Sequence, residues 1–387
     1  MARAIAAGEL NVALLSGAEA IATLRRLQKE GSTPAWEAQE LGAKPNKQLG
    51  VDRPANNDAE LAVGLAAPVY TYALLETALQ RGDRDEHQRA VAELWSRFSE
   101  VAAGNPYAKL GKVIGVEQLL TQDAGNRPVS APYSKLLTAN ADVDLATGLL
   151  MCSAEAADAA GVPRERWVFP LAAARAHEEW FVSERPQLAA APALRAVGRA
   201  ALEHAGMTID DVGHVDLYSC FPSAVQIAAA ELGLDLTSRP LTVTGGLTFA
   251  GGPGNNYTSH AIATLVDRLR ADPDAIGLCT AVGWYVTKHA ALVLSGRPGR
   301  SPFSLLTPEL DGRQPRRVAA DYSGRAAVEA YTVPYARDGS PEAVIVSALA
   351  PDGTRALARS SDPGLIGAED PLGRSAEISG GVLQGIS

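Results

Sequence analysis

Residues 241–270 read LTVTGGLTFAGGPGNNYTSHAIATLVDRLR, and three textures follow one another within them. Leu241–Thr244 is a short β-branched run that predicts a strand. Gly245–Gly254 packs six glycines or prolines into ten residues. From Tyr257 the chain reads as a helix. A strand that passes through a glycine-rich turn into a helix has two readings. In one, Gly245, Gly246, Gly251, Gly252 and Pro253, with Asn255 and Asn256, bare backbone N–H groups to a ligand and aim a helix N-terminus at it. In the other, the same residues make a close-packed turn with nothing bound. No Gly-Lys-Ser/Thr follows, which excludes a P-loop, and the glycine spacing is not that of the dinucleotide fingerprint.

Working outward, HVDLYSC (214–220) predicts a strand, and Pro222 suits the first turn of the helix after it. IGLCTAV (276–282) and ALVLS (291–295) predict two more strands. Residues 191–206 predict a helix with Ala193, Leu194, Val197, Ala201 and Leu202 on one face. Residues 142–160 read as a strand and then a helix, and Trp167–Pro170 as a short strand. Helical periodicity marks 69–81 and 85–103, where Val91, Leu94, Trp95 and Phe98 share a face. LNVALLS (10–16), closed by Gly17, predicts a buried parallel strand, followed by a helix over 19–29. Between them, Gly31–Pro68 is polar and broken by prolines, as a surface excursion would be. Alternation of this kind predicts layered α/β architecture with helices on both sheet faces. Beyond Gly296 the texture changes to a linker and then short strands parted by Asp338–Gly339 and Asp352–Gly353, which predicts a small barrel-like β-domain.

Composition narrows the function. The 387 residues carry a net charge of −9, which argues against nucleic acid as the main partner. No run reaches the roughly 18 apolar residues of a membrane span, and the N-terminus lacks the pattern of a secretory signal. Three scattered cysteines suit a reducing cytoplasm better than a disulfide framework or a zinc site. No His/Asp/Glu spacing suggests a metal.

Chemistry concentrates in three places. Tyr218 and Cys220 end a strand, where ligands of α/β sheets gather, and offer a proton donor and a nucleophile. A buried cysteine is also an ordinary small core residue. Cys279, flanked by Ile276, Leu278 and Val282, admits the same two readings. His260 and His289 each follow one of these segments and are candidates for a site. His87, His177, His204 and His214 lie on polar stretches that solvate a histidine by default.

The three segments in this order resemble the C-terminal half of the thiolase superfamily, in particular thiolases related to sterol carrier protein. GGLTFAGGPGNNY together with a C-terminal β-domain at 310–380 is most similar to actinobacterial thiolase-like proteins labelled acetyl-CoA acetyltransferases. AIAAGELNVALLSGAEA resembles the helix and strand that follow the family's nucleophilic cysteine, whose place would then lie upstream of Met1. The resemblance therefore implies a thiolase-like α-β-α-β-α fold with its N-terminal half shortened. It divides the chain into a remnant of that half (1–30), a partly helical loop region (31–130), the rest of the thiolase core (131–296), and a linker with a barrel domain of oligonucleotide/oligosaccharide-binding (OB) type (297–387).

Carried over residue by residue, the resemblance implies altered catalysis. Tyr218-Ser219-Cys220-Phe221 stands where the family has Asn-Glu-Ala-Phe or His-Asp-Cys-Phe. Gly251-Gly252-Pro253 stands where it has Gly-His-Pro. Anchored on Gly283, the second reactive cysteine's place holds Ala281, with Cys279 one strand repeat earlier. Thiolase turnover needs a thiolate, oxyanion donors and a base. The resemblance thus implies a protein of acyl-CoA and lipid metabolism, nominally an acyltransferase, that binds coenzyme A (CoA) thioesters with weak or no ordinary thiolase turnover. Coenzyme A enters as substrate or ligand, with no other cofactor, and the protein would be a monomer or homodimer. Two alternatives accompany this. One is a retro-aldolase acting on β-hydroxyacyl-CoA through Tyr218 and Tyr257, with the barrel as an OB-like partner fused in cis. The other is a non-catalytic acyl-CoA-binding or assembly module.

Overall fold

The helix Tyr257–Ala271 owes its place to Ala261, Leu265 and Leu269, four residues apart and therefore on one face, which pack on Val243, Cys279 and Leu294. The computed structural model describes residues 1–387 except Ala38, Asp311, Arg313 and Ala368. Asp311 and Arg313 belong to the expected linker and Ala38 to the expected surface excursion, so those points of the reading lie outside the described residues.

Beneath this helix lies a five-stranded sheet in the order His214–Asp216, Ile276–Gly283, Lys288–Ser295, Phe169–His177 and Ser304–Leu306. The first pair is parallel, and the next two pairings are antiparallel. Leu292 and Leu294 face the Tyr257–Ala271 helix, while Ala291 and Val293 turn to the other side, into the core shared with the helices Pro192–Ala205 and Pro222–Leu232. Period-two alternation along one strand thus serves two helix layers. Pro222 occupies the start of its helix, and Gly206 and Gly233 close the two helices in the left-handed conformation.

A two-stranded antiparallel ribbon, Val12–Ala20 with Asp144–Cys152, covers the outer side of the Tyr257–Ala271 helix. This corrects the expectation of a buried parallel strand at 10–16: the strand is antiparallel and mostly exposed, with Leu14 and Leu150 at 61% and 72%. Apolar content alone did not reveal that its only partner among the described residues is another ribbon strand. The expected strand Leu241–Thr244 does not form either. Its N–H groups are taken by a side chain, as described below. The short strand expected at Trp167–Pro170 is longer, Phe169–His177.

In the C-terminal region, Gly324–Pro334, Val344–Leu349, Arg355–Ser360, Val382–Ile386 and Ser375–Ser379 pair in that cyclic order and close a five-stranded barrel. The turns at Asp338–Gly339 and Asp352–Gly353 fall between its strands. Closure joins Arg359 to Val382 in parallel. The barrel is seated on the α/β layers in three ways. Ile345 and Leu357 pack on Val63 and Leu65. Thr77 Oγ1 accepts from Tyr331 N at 2.9 Å and donates to Tyr331 O at 2.8 Å. Arg355, wholly buried, donates to the carbonyls of Ser183 and Arg185, both at 2.6 Å, and pairs with Glu329.

Candidate functional site

Asp216 ends the strand His214–Asp216 and is wholly buried. Its Oδ2 accepts from Thr242 Oγ1 at 2.8 Å, Val243 N at 2.9 Å, Thr244 Oγ1 at 3.2 Å and Thr244 N at 3.3 Å. One carboxylate oxygen therefore takes the donors that a neighbouring strand would otherwise have used, which is why 241–244 stays out of the sheet. Oδ1 accepts from the Tyr257 hydroxyl at 3.0 Å. That hydroxyl also lies 2.8 Å from Thr244 Oγ1 and 3.5 Å from Ser219 Oγ. Burial raises the Asp216 carboxyl above its ordinary range, against the pull of these donors. Burial first, and the Asp216 charge second, hold the Tyr257 phenol protonated. Asp216 was missed in the sequence. The available signal was an acid inside the apolar strand HVDLYSC, two residues before Tyr218.

Tyr218 sits half-buried at the carboxyl end of the same strand. Its ring meets that of Tyr257 edge-on at 5.4 Å, and its N–H donates to Thr280 Oγ1 at 2.9 Å. The two tyrosines singled out in the sequence are thus in contact. Burial raises the Tyr218 phenol as well, with Cys220 adding to it.

The glycine-rich segment is close-packed. Gly245 has φ +100°, and a Cβ there would lie 2.4–2.6 Å from Ala102, mostly from its backbone. A Cβ on Gly251, at φ +122°, would meet Val143 and Leu145 at 2.9 Å. The loop's N–H groups turn inward: those of Ala250 and Gly251 reach Gly246 O, Gly252 reaches Asn140 O, Gly254 reaches Gly252 O and Asn256 reaches Pro253 O. Pro253 is buried with Gly252, whereas Asn255 is exposed. Asn256 ties the loop to the ribbon: its Nδ2 donates to Gly17 O at 2.8 Å and its Oδ1 accepts from Thr147 Oγ1 at 3.0 Å. The same Nδ2 lies 3.3 Å from His260 Nε2.

Between the loop, the ribbon and the helix opens a cavity of ≈ 250 Å³. Thr147, Thr244, Tyr257, His260 and Asn105 are among its polar lining, with Thr264 and Asp267 from the helix, and Leu145, Ala146, Ala250 and Gly251 among its apolar lining. Burial lowers the His260 imidazole below its ordinary value and so favours its neutral form. No cysteine lines this cavity. Cys279 faces Asp216 across the parallel ladder and packs into the apolar layer with Leu265 and Leu294. Burial raises its thiol, and raises that of Cys220 to about 12. Cys152 is exposed at the ribbon's end. His289 is buried away from the cavity, with Nε2 3.1 Å from Val286 O and 3.4 Å from Glu178 Oε1. The described residues hold no group of three or more potential metal ligands. Among them, no helix is long and apolar enough to cross a membrane. The site therefore combines a buried carboxylate, a neutral phenol, hydroxyls and an imidazole. These are hydrogen-bonding groups and proton carriers without a reactive thiolate.

Comparison with known proteins follows the same lines. The sequence signature of the thiolase-like protein type 1 additional C-terminal domain matches residues 306–378. The crystal structure of a monomeric SCP2-thiolase-like protein type 1 from Mycobacterium smegmatis is 31% identical, covering 99% of this chain and 79% of that one, with a TM-score of 0.81. Two more distant structures show the shared fold. The dimeric peroxisomal thiolase of Saccharomyces cerevisiae has 14% identity and a TM-score of 0.52, covering 76% of this chain and 71% of that one. A chain of an Ltp2-ChsH2(DUF35) aldolase has 20% identity and a TM-score of 0.57, covering 76% and 74%. A search of curated proteins returned no match. The expected thiolase-like α/β fold with a C-terminal barrel is therefore the fold of this protein, and the chain belongs to the SCP2-thiolase-like proteins of type 1.

Proposed function

We propose that the protein binds CoA thioesters in the cavity beside the glycine-rich loop, and does so without thiolase turnover through cysteine. The observation that carries this reading is the cavity wall itself: Thr147, Thr244, Tyr257 and His260 face a thioester-sized space into which no thiol projects. A thioester carbonyl accepts hydrogen bonds from hydroxyls, and an acyl chain is met by Leu145, Ala146 and Ala250. A space of ≈ 250 Å³ favours a short acyl group. Cys220 and Cys279, raised by burial, hold little thiolate at neutral pH, so neither carries an acyl group. On this reading the protein works in cytoplasmic acyl-CoA metabolism as a carrier or ligand-gated module of the acyltransferase family. Calorimetric titration with acetyl-CoA, paired with an acetoacetyl-CoA thiolysis assay, tests it. Saturable binding without thiolysis is the expected result. Absence of binding, or thiolysis that is lost in a cysteine-free variant, overturns it.

The edge-on contact of Tyr218 and Tyr257 favours a second reading, carbon–carbon cleavage of a β-hydroxyacyl-CoA. Two phenols suit proton transfer in a retro-aldol step and require no thiol. Tyr218→Phe and Tyr257→Phe, assayed singly for release of the aldehyde or ketone, decide it. Cleavage that depends on both hydroxyls replaces the first reading, and no cleavage by the parent protein removes the second.

A further inference from the structure

The carboxyl ends of the parallel strands His214–Asp216 and Ile276–Gly283 form one rim, on which Tyr218 N is bonded to Thr280 Oγ1. Four residues past Thr280, roughly 13 Å along an extended chain, the hairpin turns through Trp284 and Val286. Both lie in the left-handed region, at φ +55° and +53°. A tryptophan and a β-branched valine are poor residues for that conformation, and backbone strain of this kind concentrates at ligand clamps. Tyr72 holds the turn in place: its hydroxyl donates to Trp284 O at 2.8 Å and accepts from Val286 N at 3.2 Å.

What the strained turn presents is an exposed indole beside ordered cations. Trp284 is 46% exposed, an unusual state for a residue of that size in a rigid turn. Lys288 Nζ stands 5.1 Å from its ring centroid and 6.0 Å from that of Trp180. Gly283, paired with Lys288 in the ladder, leaves room for the lysine stem, since a Cβ there would lie 2.4 Å from Lys288 Cε. On the other side, Arg53 sits 4.6 Å over Phe181 and 5.5 Å over Trp180, and Trp180 is fixed by donating to Pro54 O at 2.7 Å. Among the described residues, neither Lys288 nor Arg53 pairs with a carboxylate. Cations without a carboxylate partner among the described residues, placed over aromatic rings of which the Trp284 indole is 46% exposed, match a ligand that is planar at one end and multiply anionic at the other.

We propose that the Trp284–Lys288–Arg53 rim is the site for the adenosine 3′,5′-bisphosphate end of coenzyme A. The adenine stacks on the Trp284 indole, and Lys288 and Arg53 neutralise the phosphates. The pantetheine arm then runs along the rim past Tyr218 toward the cavity. This assignment rests on the CoA-thioester reading of that cavity, but the two ends of the ligand are tested separately.

The full-length protein is titrated with adenosine 3′,5′-bisphosphate and, independently, with S-acetylpantetheine. The bisphosphate is expected to bind one to one and more weakly as salt is raised. Trp284→Ala and Lys288→Met are each expected to weaken it at least about fivefold, the loss of one stacked base or one phosphate contact. Trp284→Phe and Lys288→Arg are expected to retain most of the affinity, and S-acetylpantetheine is expected to be unaffected by all four. Unchanged melting temperatures of these variants show that they remain folded. No measurable bisphosphate binding, or binding indifferent to both disruptive substitutions, overturns the assignment. Bisphosphate binding without S-acetylpantetheine binding supports it and removes the cavity reading instead.

Discussion

The Tyr257 hydroxyl donates to Asp216 Oδ1 at 3.0 Å, and this one bond joins the first residue of the helix beside the cavity to the buried end of a sheet strand. Neither group reaches solvent, so both complete their hydrogen bonding inside the protein, Asp216 Oδ1 through Tyr257 and Oδ2 through Thr242, Val243 and Thr244. The bond orients the phenol at the cavity wall, while the other carboxylate oxygen holds the segment Thr242–Thr244.

Tyr257→Phe removes that donor and leaves buried oxygens of Asp216 and Thr244 short of a partner. A loss of about 1–3 kcal/mol is expected, read by urea unfolding. The pH dependence has a definite sign. The folded Asp216 carboxyl is raised above its unfolded value, so its contribution is most favourable below the ordinary carboxylate range. That contribution is lost as pH rises through the raised value. Because the Tyr257 bond pulls the carboxyl down, the variant should raise it further and so widen the window above the ordinary carboxylate range in which stability falls with pH.

Alkylation should distinguish the three thiols. Burial holds Cys220 and Cys279 in the thiol form, while Cys152 is exposed. Iodoacetamide at mildly alkaline pH should modify Cys152 alone in the folded protein and all three in denaturant, as read by peptide mass spectrometry. Rapid labelling of Cys279 in the folded state would contradict its placement.

Gly245→Ala should cost at least about 2 kcal/mol, because the new methyl meets the backbone of Ala102 and the residue keeps a positive φ. Gly233→Ala, whose added methyl meets nothing within 4 Å, separates the two effects, since it carries only the conformational penalty. Denaturant midpoints of the pair provide the measurement.

Arg355→Met should loosen the barrel from the α/β layers. It strips the Ser183 and Arg185 carbonyls of their donor and leaves Glu329 without its buried partner. The expected loss is about 3 kcal/mol or more. It should appear as earlier protease cleavage in the segment leading into the barrel.

Asp144 accepts from both Thr23 N at 2.9 Å and Thr23 Oγ1 at 2.8 Å, which holds its carboxyl below the usual range. Its contribution is present above the unfolded value and is lost as pH falls through the lowered folded one. The protection factor of the Thr23 amide, its exchange relative to the intrinsic rate at each pH, should therefore fall in acid, and Asp144→Asn should flatten that dependence.

Local chemistry made much of the chain legible. Pro222 at a helix start, the Asp-Gly turns of the barrel and the four-residue spacing of Ala261, Leu265 and Leu269 each act within a few residues. Tyr218 was singled out by its place at a strand end and Tyr257 by the family resemblance, and the fold brings the two rings into contact. Asp216 was not, since an acid in an apolar strand has no meaning until its donors arrive from Thr242 and Thr244.

The sequence by itself determined the alternation of elements, the composition of the barrel and its Asp-Gly turns. These follow from backbone propensity, turn chemistry and periodicity, which are properties of neighbouring residues. Only the tertiary structure decided that the glycine-rich loop turns its N–H groups inward, onto its own carbonyls, Asn140 O and the hydroxyls of Thr242 and Thr244. It also decided that the ribbon strand is antiparallel and exposed, that Cys220 and Cys279 are core residues, and that Trp284 stands open beside Lys288. Each of these depends on which distant segment fills the space around a group. Burial, hydrogen-bond partners and proton affinity are set by that environment and not by the residue alone.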